Sequence, residues 1–410
     1  MKVQAAENPP PNLTARPNEV PAAVRSAGGA VKRDADAAVL VVGNQARSLT
    51  NFRGPLLQAM RECGHRVVAA APRLSEDLDC VEQLARIGVV GRDISLSRTG
   101  LNAFADLRSI VSLLKLIRQE KPEAVLCYTA KPVIFGMIAA SLARVPRRYA
   151  LVTGLGYAFT VGGGAMRSAV RAVLMRLYRM AFRRTTKVFF QNHDDAELFR
   201  ELGLLPPALP VVVVNGSGID LCTFRPAPFP QGPLQFLLVA RVLSAKGIRE
   251  YAAAAARVRK TRSDVEFHLV GGLDSNPDAI PAHEVTRWHA TGDIVWHGEV
   301  SDVRPHLAAC HVYVLPSYRE GTPRSVLEAM ATGRPIITTD APGCRETVIE
   351  GENGFLVPPR IVDPLVEAME RFVDDRDLVV RMGQRSREIA ESKFDVDKIN
   401  AQMLHEMELA

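Results

Sequence analysis

The sequence predicts an α/β protein made of two doubly wound parallel-sheet domains in tandem, facing each other across a cleft. Three observations carry this reading. Short runs rich in Val, Ile and Leu alternate with segments of helical period. The runs are apolar at nearly every position, as parallel strands covered by helices on both faces must be. The alternation stops once, at a proline-rich stretch, and then restarts.

Residues 1–36 come before the first run. They hold Pro9, Pro10, Pro11, Pro17 and Pro21, show little periodicity, and read as a disordered tail with no apolar core of a signal peptide. The first domain, 37–216, opens with AVLVVG (38–43), a helix over Phe52–Glu62 and RVVAAAP (66–72). EAVLCYT (123–129), RYALVT (148–153), KVFFQN (187–192) and PVVVVN (210–215) follow as strands, separated by helical stretches at Ala103–Arg118, Pro132–Ala143 and Arg167–Phe182. The segment 217–233, four prolines within it, reads as a linker. The second domain, 234–392, then offers QFLLVA (235–240), VEFHLVG (265–271), DIVWHG (293–298), HVYVLP (311–316), PIITTD (335–340) and GFLVPP (354–359). A terminal helix in 393–410 is placed to pack back on the first domain. In such sheets ligands bind outside the carboxyl ends of the strands.

The bulk numbers fit a globular protein of two domains: 410 residues, 47% hydrophobic and 23% charged. A net charge of +6 suits anionic partners without calling for nucleic acid. The six cysteines are scattered with no C-x-x-C pair, which reads as reduced thiols. No stretch reads as a membrane span.

The chemistry concentrates around SYREGTPRSVLEAMATGRPII (317–337). A strand ends at Pro316 and a loop follows. Thr322 is a good N-cap, Pro323 fits the first helical position, and the helix runs to Thr332 before Gly333. Its N-terminal N–H groups make an anion site suited to phosphate. Glu328 lies roughly 7–8 Å along the axis, too far for phosphate but suited to a vicinal diol. Glu320, in the loop, can hold a second polyol on the other side. Arg241 and Lys246, in the loop after QFLLVA, supply the cations that a diphosphate leaving group needs where no metal is present.

Arg241 with Lys246-Gly247, Glu320 and Glu328 as E-x7-E, PGCRE (342–346) and NGFLVPP (353–359) together resemble the donor domain of family 4 glycosyltransferases of GT-B fold, retaining enzymes that use no metal. The resemblance covers nearly all of the chain beyond residue 37. It implies that Arg241 and Lys246 hold the donor diphosphate, Glu328 the ribose and Glu320 the donor sugar, with Gly321, Thr322, Pro323 and Arg324 around them. Arg241, Lys246 and Glu320 are the implied catalytic residues, and PGCRE is expected to border the donor pocket.

The stretch 48–72 is similar to the branch of that family that builds bacterial surface polysaccharides and lipid-linked glycans. Asn51-Phe52-Arg53-Gly54, ahead of the first helix, and Thr153-Gly154, past a strand tip, are the expected acceptor side of the cleft. Many members carry a histidine where this chain has Thr153. Residues 144–187 hold ten basic residues and no acidic one. On a helical wheel Met166, Val170, Val173, Leu174, Leu177 and Met180 share one arc, and Arg171, Arg176, Arg179 and Arg183 lie opposite, an arrangement suited to an anionic bilayer.

The implied activity is metal-independent transfer of a hexose or N-acetylhexosamine, with retention, from a nucleoside-diphosphate sugar, UDP by family habit, to a polyprenyl-diphosphate-linked saccharide. It needs no cofactor and places the enzyme on the inner face of the cell membrane. The D-x-D runs at 34–36, 77–79 and 395–397 do not follow strands, as a metal site would. Rival readings are a glycoside hydrolase working without nucleotide, a sugar-nucleotide epimerase working without acceptor, and a nucleotide-binding protein that turns nothing over.

Overall fold

The computed structural model describes residues 38–96, 103–154 and 165–410, with the side chains of Ala103 and 165–169 left aside. The proline-rich N-terminus and most of TGLGYAFT lie outside these residues. The described residues all belong to one compact unit.

In chain order the first half contains β1 (Ala38–Val42), α1 (Ala46–Asn51), α2 (Gly54–Glu62), β2 (Arg66–Ala71), α3 (Leu78–Arg86), β3 (Val90–Asp93) and α4 (Ala103–Glu120). There follow β4 (Pro122–Tyr128), α5 (Met137–Leu142), β5 (Arg147–Val152), α6 (Ala165–Phe182), β6 (Lys187–Phe190), α7 (His193–Glu201) and β7 (Val211–Val213). The second half contains β8 (Leu234–Val239), α8 (Ile248–Thr261), β9 (Val265–Val270), α9 (Ala282–Ala290), β10 (Val295–Trp296), α10 (Arg304–Ala309) and β11 (Val312–Leu315). It continues through α11 (Arg324–Ala331), β12 (Ile336–Thr339), β13 (Gly354–Val357), α12 (Asp363–Asp374), α13 (Asp377–Lys393) and α14 (Val396–Glu406).

The strands form two all-parallel sheets, ordered β3-β2-β1-β4-β5-β6-β7 and β10-β9-β8-β11-β12-β13. In each, the order reverses beside the first strand, between β1 and β4 and between β8 and β11. At such a switch point the loops part and leave a crevice at the carboxyl ends. Every residue of β1 is buried, because helices cover both faces of its sheet. α4, α5 and α6 contribute to the core on one face, and α1, α2, α3 and α14 to the core on the other.

Three features depart from the sequence reading. β3 (VGRD) gives no apolar run because it is an edge strand, mostly solvated. The helix expected over Phe52–Glu62 is α2, Gly54–Glu62, but α1 precedes it, so Phe52-Arg53 is the joint between two helices rather than the lead-in to a first one. α1 is six polar-rich residues, too short to show a period. The segment 217–233 is docked rather than free. Ile219 pairs with Asp395, its N–H donating to the Phe394 carbonyl at 2.8 Å, and Ile219 and Phe224 are buried in the second-half core.

The terminal helix α14 returns to the first half. Ile399, Met403, Leu404, Met407 and Leu409 lie in its core beside Val39, Val41 and Leu57. Tyr149 Oη donates to the Met407 carbonyl at 2.6 Å, and Lys187 Nζ meets Glu406 at 2.6 Å.

Candidate active site

The two switch points face one another across a cleft of about 700 Å³. From the second half, Arg241, Lys246, Glu320, Gly321, Thr322, Pro323, Arg324 and Glu328 all line it. From the first half come Arg53 and Thr153, with Asn44, Gln45, Ser48, Phe52, Tyr128, Thr129 and Gln191. Asn51 does not line it; it is the exposed last residue of α1.

The loop after β8 turns through a short 3₁₀ segment, Ser244–Lys246, and closes at Gly247 with φ 69°. A Cβ there would stand 2.1 Å from the Pro316 carbonyl oxygen, so only glycine lets this loop lie against the end of β11. The result is an ion pair between Lys246 Nζ and Glu320 Oε1 at 2.5 Å. Arg241 is held from the opposite side by Asp274, at 2.7 Å. It also borders a second pocket of about 380 Å³, lined by Val239, Gly271, Gly272, Asp274 and Glu299 among others.

Helix α11 starts one residue later than its sequence suggests. Pro323 stands at the N-cap, with no side-chain cap bond. Thr322 precedes that N-cap, and its hydroxyl is turned across the cleft, donating to the Gln191 carbonyl at 3.0 Å. The N–H groups of Gly321, Thr322, Arg324 and Ser325 have no acceptor among the described residues, and they sit at the positive end of the helix. Glu328, one turn on, is half-buried, its side chain 13% exposed, and is paired with Arg324 at 2.9 Å. Burial pushes its carboxyl above the ordinary range and Arg324 offsets only part of this. Arg324 itself lies over the Phe52 ring, 5.4 Å from its centre.

The Glu320 loop is fixed from the first half as firmly as from its own. Asn192 Nδ2 donates to the Gly321 carbonyl at 2.6 Å. Arg319, just before Glu320, pairs with Asp195, whose side chain is fully buried in α7. A Cβ on Gly321 would meet the Thr153 carbonyl oxygen at 2.3 Å, so glycine is required for the two halves to approach there. The sequence reading missed Asn192 and Asp195, and with them Tyr128 and Thr129. All stand at or just past the tips of strands it had placed, and that position was the available signal.

PGCRE does not line the cleft. It backs the loop: the Glu320 N–H donates to the Pro342 carbonyl at 2.9 Å, and Arg345 reaches across to Asp194 of α7 at 2.9 Å. Of the D-x-D runs, Asp77 and Asp395 cap α3 and α14, and 34–36 lies outside the described residues. On α6 the sequence wheel fails in part. Arg171, Arg176 and Arg183 are exposed. Arg179 instead donates to the carbonyls of Gly203 and Leu202 at 2.9 and 2.7 Å, closing the end of α7. Val173 and Met180 share the exposed side with the arginines, while Tyr178, Ala181 and Phe182 take the core face.

Two family models match the chain: Glycosyl transferase 4-like domain over residues 51–216 and Glycosyl transferases group 1 over 233–375. Among curated relatives, an N,N'-diacetylbacillosaminyl-diphospho-undecaprenol alpha-1,3-N-acetylgalactosaminyltransferase of Campylobacter jejuni is 29% identical over 356 residues, covering 84% of this chain and 91% of that one. A UDP-Gal:alpha-D-GlcNAc-diphosphoundecaprenol alpha-1,3-galactosyltransferase of Escherichia coli is 28% identical, covering 79% and 83%. Among solved structures, Anabaena HepE in complex with UDP superposes with a TM-score of 0.72 at 17% identity, covering 91% of this chain and all of that one. Sucrose-phosphate synthase from Thermosynechococcus elongatus gives 0.74 at 18% identity, covering 91% and 98%. With the two parallel sheets and the two matched domains in the same order, the chain belongs to the GT-B glycosyltransferases, a glycosyltransferase 4-like domain followed by a group 1 domain.

Proposed function

We propose that the enzyme transfers a hexose or N-acetylhexosamine, with retention, from a UDP-sugar to a saccharide on a polyprenyl diphosphate. The observation that carries this is the row of groups on the second half. Glu328 stands one turn inside α11, four N–H groups without an acceptor among the described residues at its start, and Arg241, Lys246 and Glu320 beyond them. Ribose, diphosphate and sugar fit that row in order. The 380 Å³ pocket continuous with Arg241 has room for the base. The acceptor class is supported by the two relatives, whose names specify diphospho-undecaprenol substrates.

In the reaction Arg241, Lys246 and the amides at the start of α11 stabilise the charge that grows on the leaving diphosphate. The acceptor hydroxyl attacks from the same face, and the departing phosphate oxygen takes its proton. The two cations supply the charge a metal would otherwise bring. Thermal unfolding with UDP, GDP, ADP and TDP in the presence of EDTA tests this. UDP at 100 times its dissociation constant is expected to add about 2.7 kcal/mol, and Glu328→Gln to reduce that gain. Equal response to every base would sink the donor assignment, and loss of turnover in EDTA would sink the metal-independent mechanism.

The exposed face of α6 supports docking on the inner leaflet of the cell membrane. Arg176 and Arg183 each add about 1 kcal/mol near an anionic surface, with Val173 and Met180 beside them. No helix among the described residues is long and apolar enough to cross a membrane. Arg176→Glu with Arg183→Glu is expected to abolish co-sedimentation with vesicles containing phosphatidylglycerol. Unchanged binding would remove α6 from the interface.

A further inference from the structure

Arg53 is a buried charge with no counter-charge paired to it among the described residues. It is 2% exposed, its Nε has no hydrogen-bond acceptor, and no carboxylate among the described residues pairs with it. Its guanidinium lies over the Tyr128 ring, 5.3 Å from the centre, and it lines the cleft. Tyr128 is locked under it by a 2.7 Å hydroxyl contact with Ser48. Burial and the nearby Arg324 lower the Arg53 pKa to about 10. A buried cation left without a counter-charge is costly, and this one borders the cleft.

Beside it, Thr129 carries a second unmet group. Its Oγ1 is buried without a partner, and its backbone holds φ 68°, a conformation that a β-branched residue rarely adopts. Thr129 follows β4 at the first-half switch point and lines the same cleft. A guanidinium whose Nε–H is unmet and an unmet hydroxyl, both on the first-half wall of one cleft, describe an anion site.

We infer that Arg53 and Thr129 bind the phosphate attached to the acceptor saccharide, so that the enzyme reads the acceptor's lipid diphosphate as well as its sugar. This rests on the acceptor class proposed above. The donor's diphosphate already has Arg241, Lys246 and the α11 amides, all on the second half, to meet its charge. Arg53 stands on the opposite wall. In an acceptor of one sugar on a diphosphate, the anion is a single ring away from the reacting hydroxyl, so a cation in this cleft is within its reach.

The test uses the full chain, its donor site saturated with UDP, titrated with geranyl diphosphate. Wild type is expected to bind it. Arg53→Met should weaken that binding about 30-fold, the loss of one charge-assisted contact, and Arg53→Lys should fall between the two. Both variants should keep the UDP affinity of wild type within about twofold, since the donor's charge is met elsewhere. Arg53→Met should unfold no earlier than wild type, because the group removed is an unpaired buried charge. Equal geranyl diphosphate binding by Arg53→Met, no binding by wild type, or a parallel loss of UDP affinity would overturn the inference, the last assigning Arg53 to the donor. Failure of wild type to bind UDP overturns the donor reading alone, and geranyl diphosphate titrated without nucleotide then decides the role of Arg53 separately.

Discussion

Lys246→Ala is expected to lower kcat by about two to three orders of magnitude, the usual cost of removing one preorganised stabiliser of a developing anion. Two effects add. In the proposed reaction the variant loses a cation beside the leaving diphosphate. It also releases Glu320, whose Oε1 now meets Lys246 Nζ at 2.5 Å, leaving a carboxylate unpaired next to the donor's negative charge. The second effect can be separated from the first. In the Lys246→Ala background, Glu320→Gln removes the stranded charge and is expected to recover part of the loss, although Glu320→Gln alone is harmful. That sign reversal is the coupling expected of two groups in direct contact. Steady-state transfer by the four proteins measures it. A Lys246→Ala kcat within threefold of wild type would place the leaving group elsewhere.

Asp195→Ala is expected to cost about 3–5 kcal/mol of folding stability, the range for breaking a buried ion pair by removing one partner. It strands the Arg319 guanidinium, whose Nε already lacks a partner. Urea unfolding measures the loss. The pH dependence is distinctive. Burial holds the Asp195 carboxyl above its ordinary range in spite of Arg319 and Asn192. A raised native value means that the folded chain binds this proton more tightly than the unfolded chain. The contribution of Asp195 to stability therefore declines as pH rises from about 3.9, the unfolded value, through the folded one. Asp195→Asn should flatten that decline. A slope identical to wild type would show that Asp195 does not titrate in this window. Because Arg319 immediately precedes Glu320, the same variants should lose transfer activity under conditions where they remain folded.

The parts of the molecule legible in the sequence are those governed by local pattern. Continuous apolar runs such as AVLVV mark strands buried on both faces, and all but one strand announces itself so. The exception, VGRD of β3, is an edge where packing makes few demands. That Arg241, Lys246, Glu320 and Glu328 share one cleft was legible because they lie in the loops and the helix that follow β8 and β11. What escaped depends on partners far along the chain. Thr322 looks like a cap, but Gln191, 131 residues away, takes its hydroxyl. Arg179 looks free on a wheel, but the end of α7 takes it. Asp195 and Arg319 sit in unremarkable local contexts, and only the closure of the two halves brings them together. Arg53 was expected at the cleft, yet no local pattern says that it is buried there without a counter-charge.

The course of the backbone also decides how the protein can be divided. The chain leaves the first half at Gly216 and comes back near Asp395, and the two passages are hydrogen-bonded side by side, Ile219 against Phe394 and Val396. The matched family domains suggest two modules that could be expressed apart or exchanged with those of a relative. The packing of α14 says otherwise. A fragment ending at the linker would leave Val39, Leu57 and Tyr149 without the Ile399, Met403 and Met407 that cover them. A chimera that borrows a donor domain must therefore take its last helix from the parent of the acceptor domain.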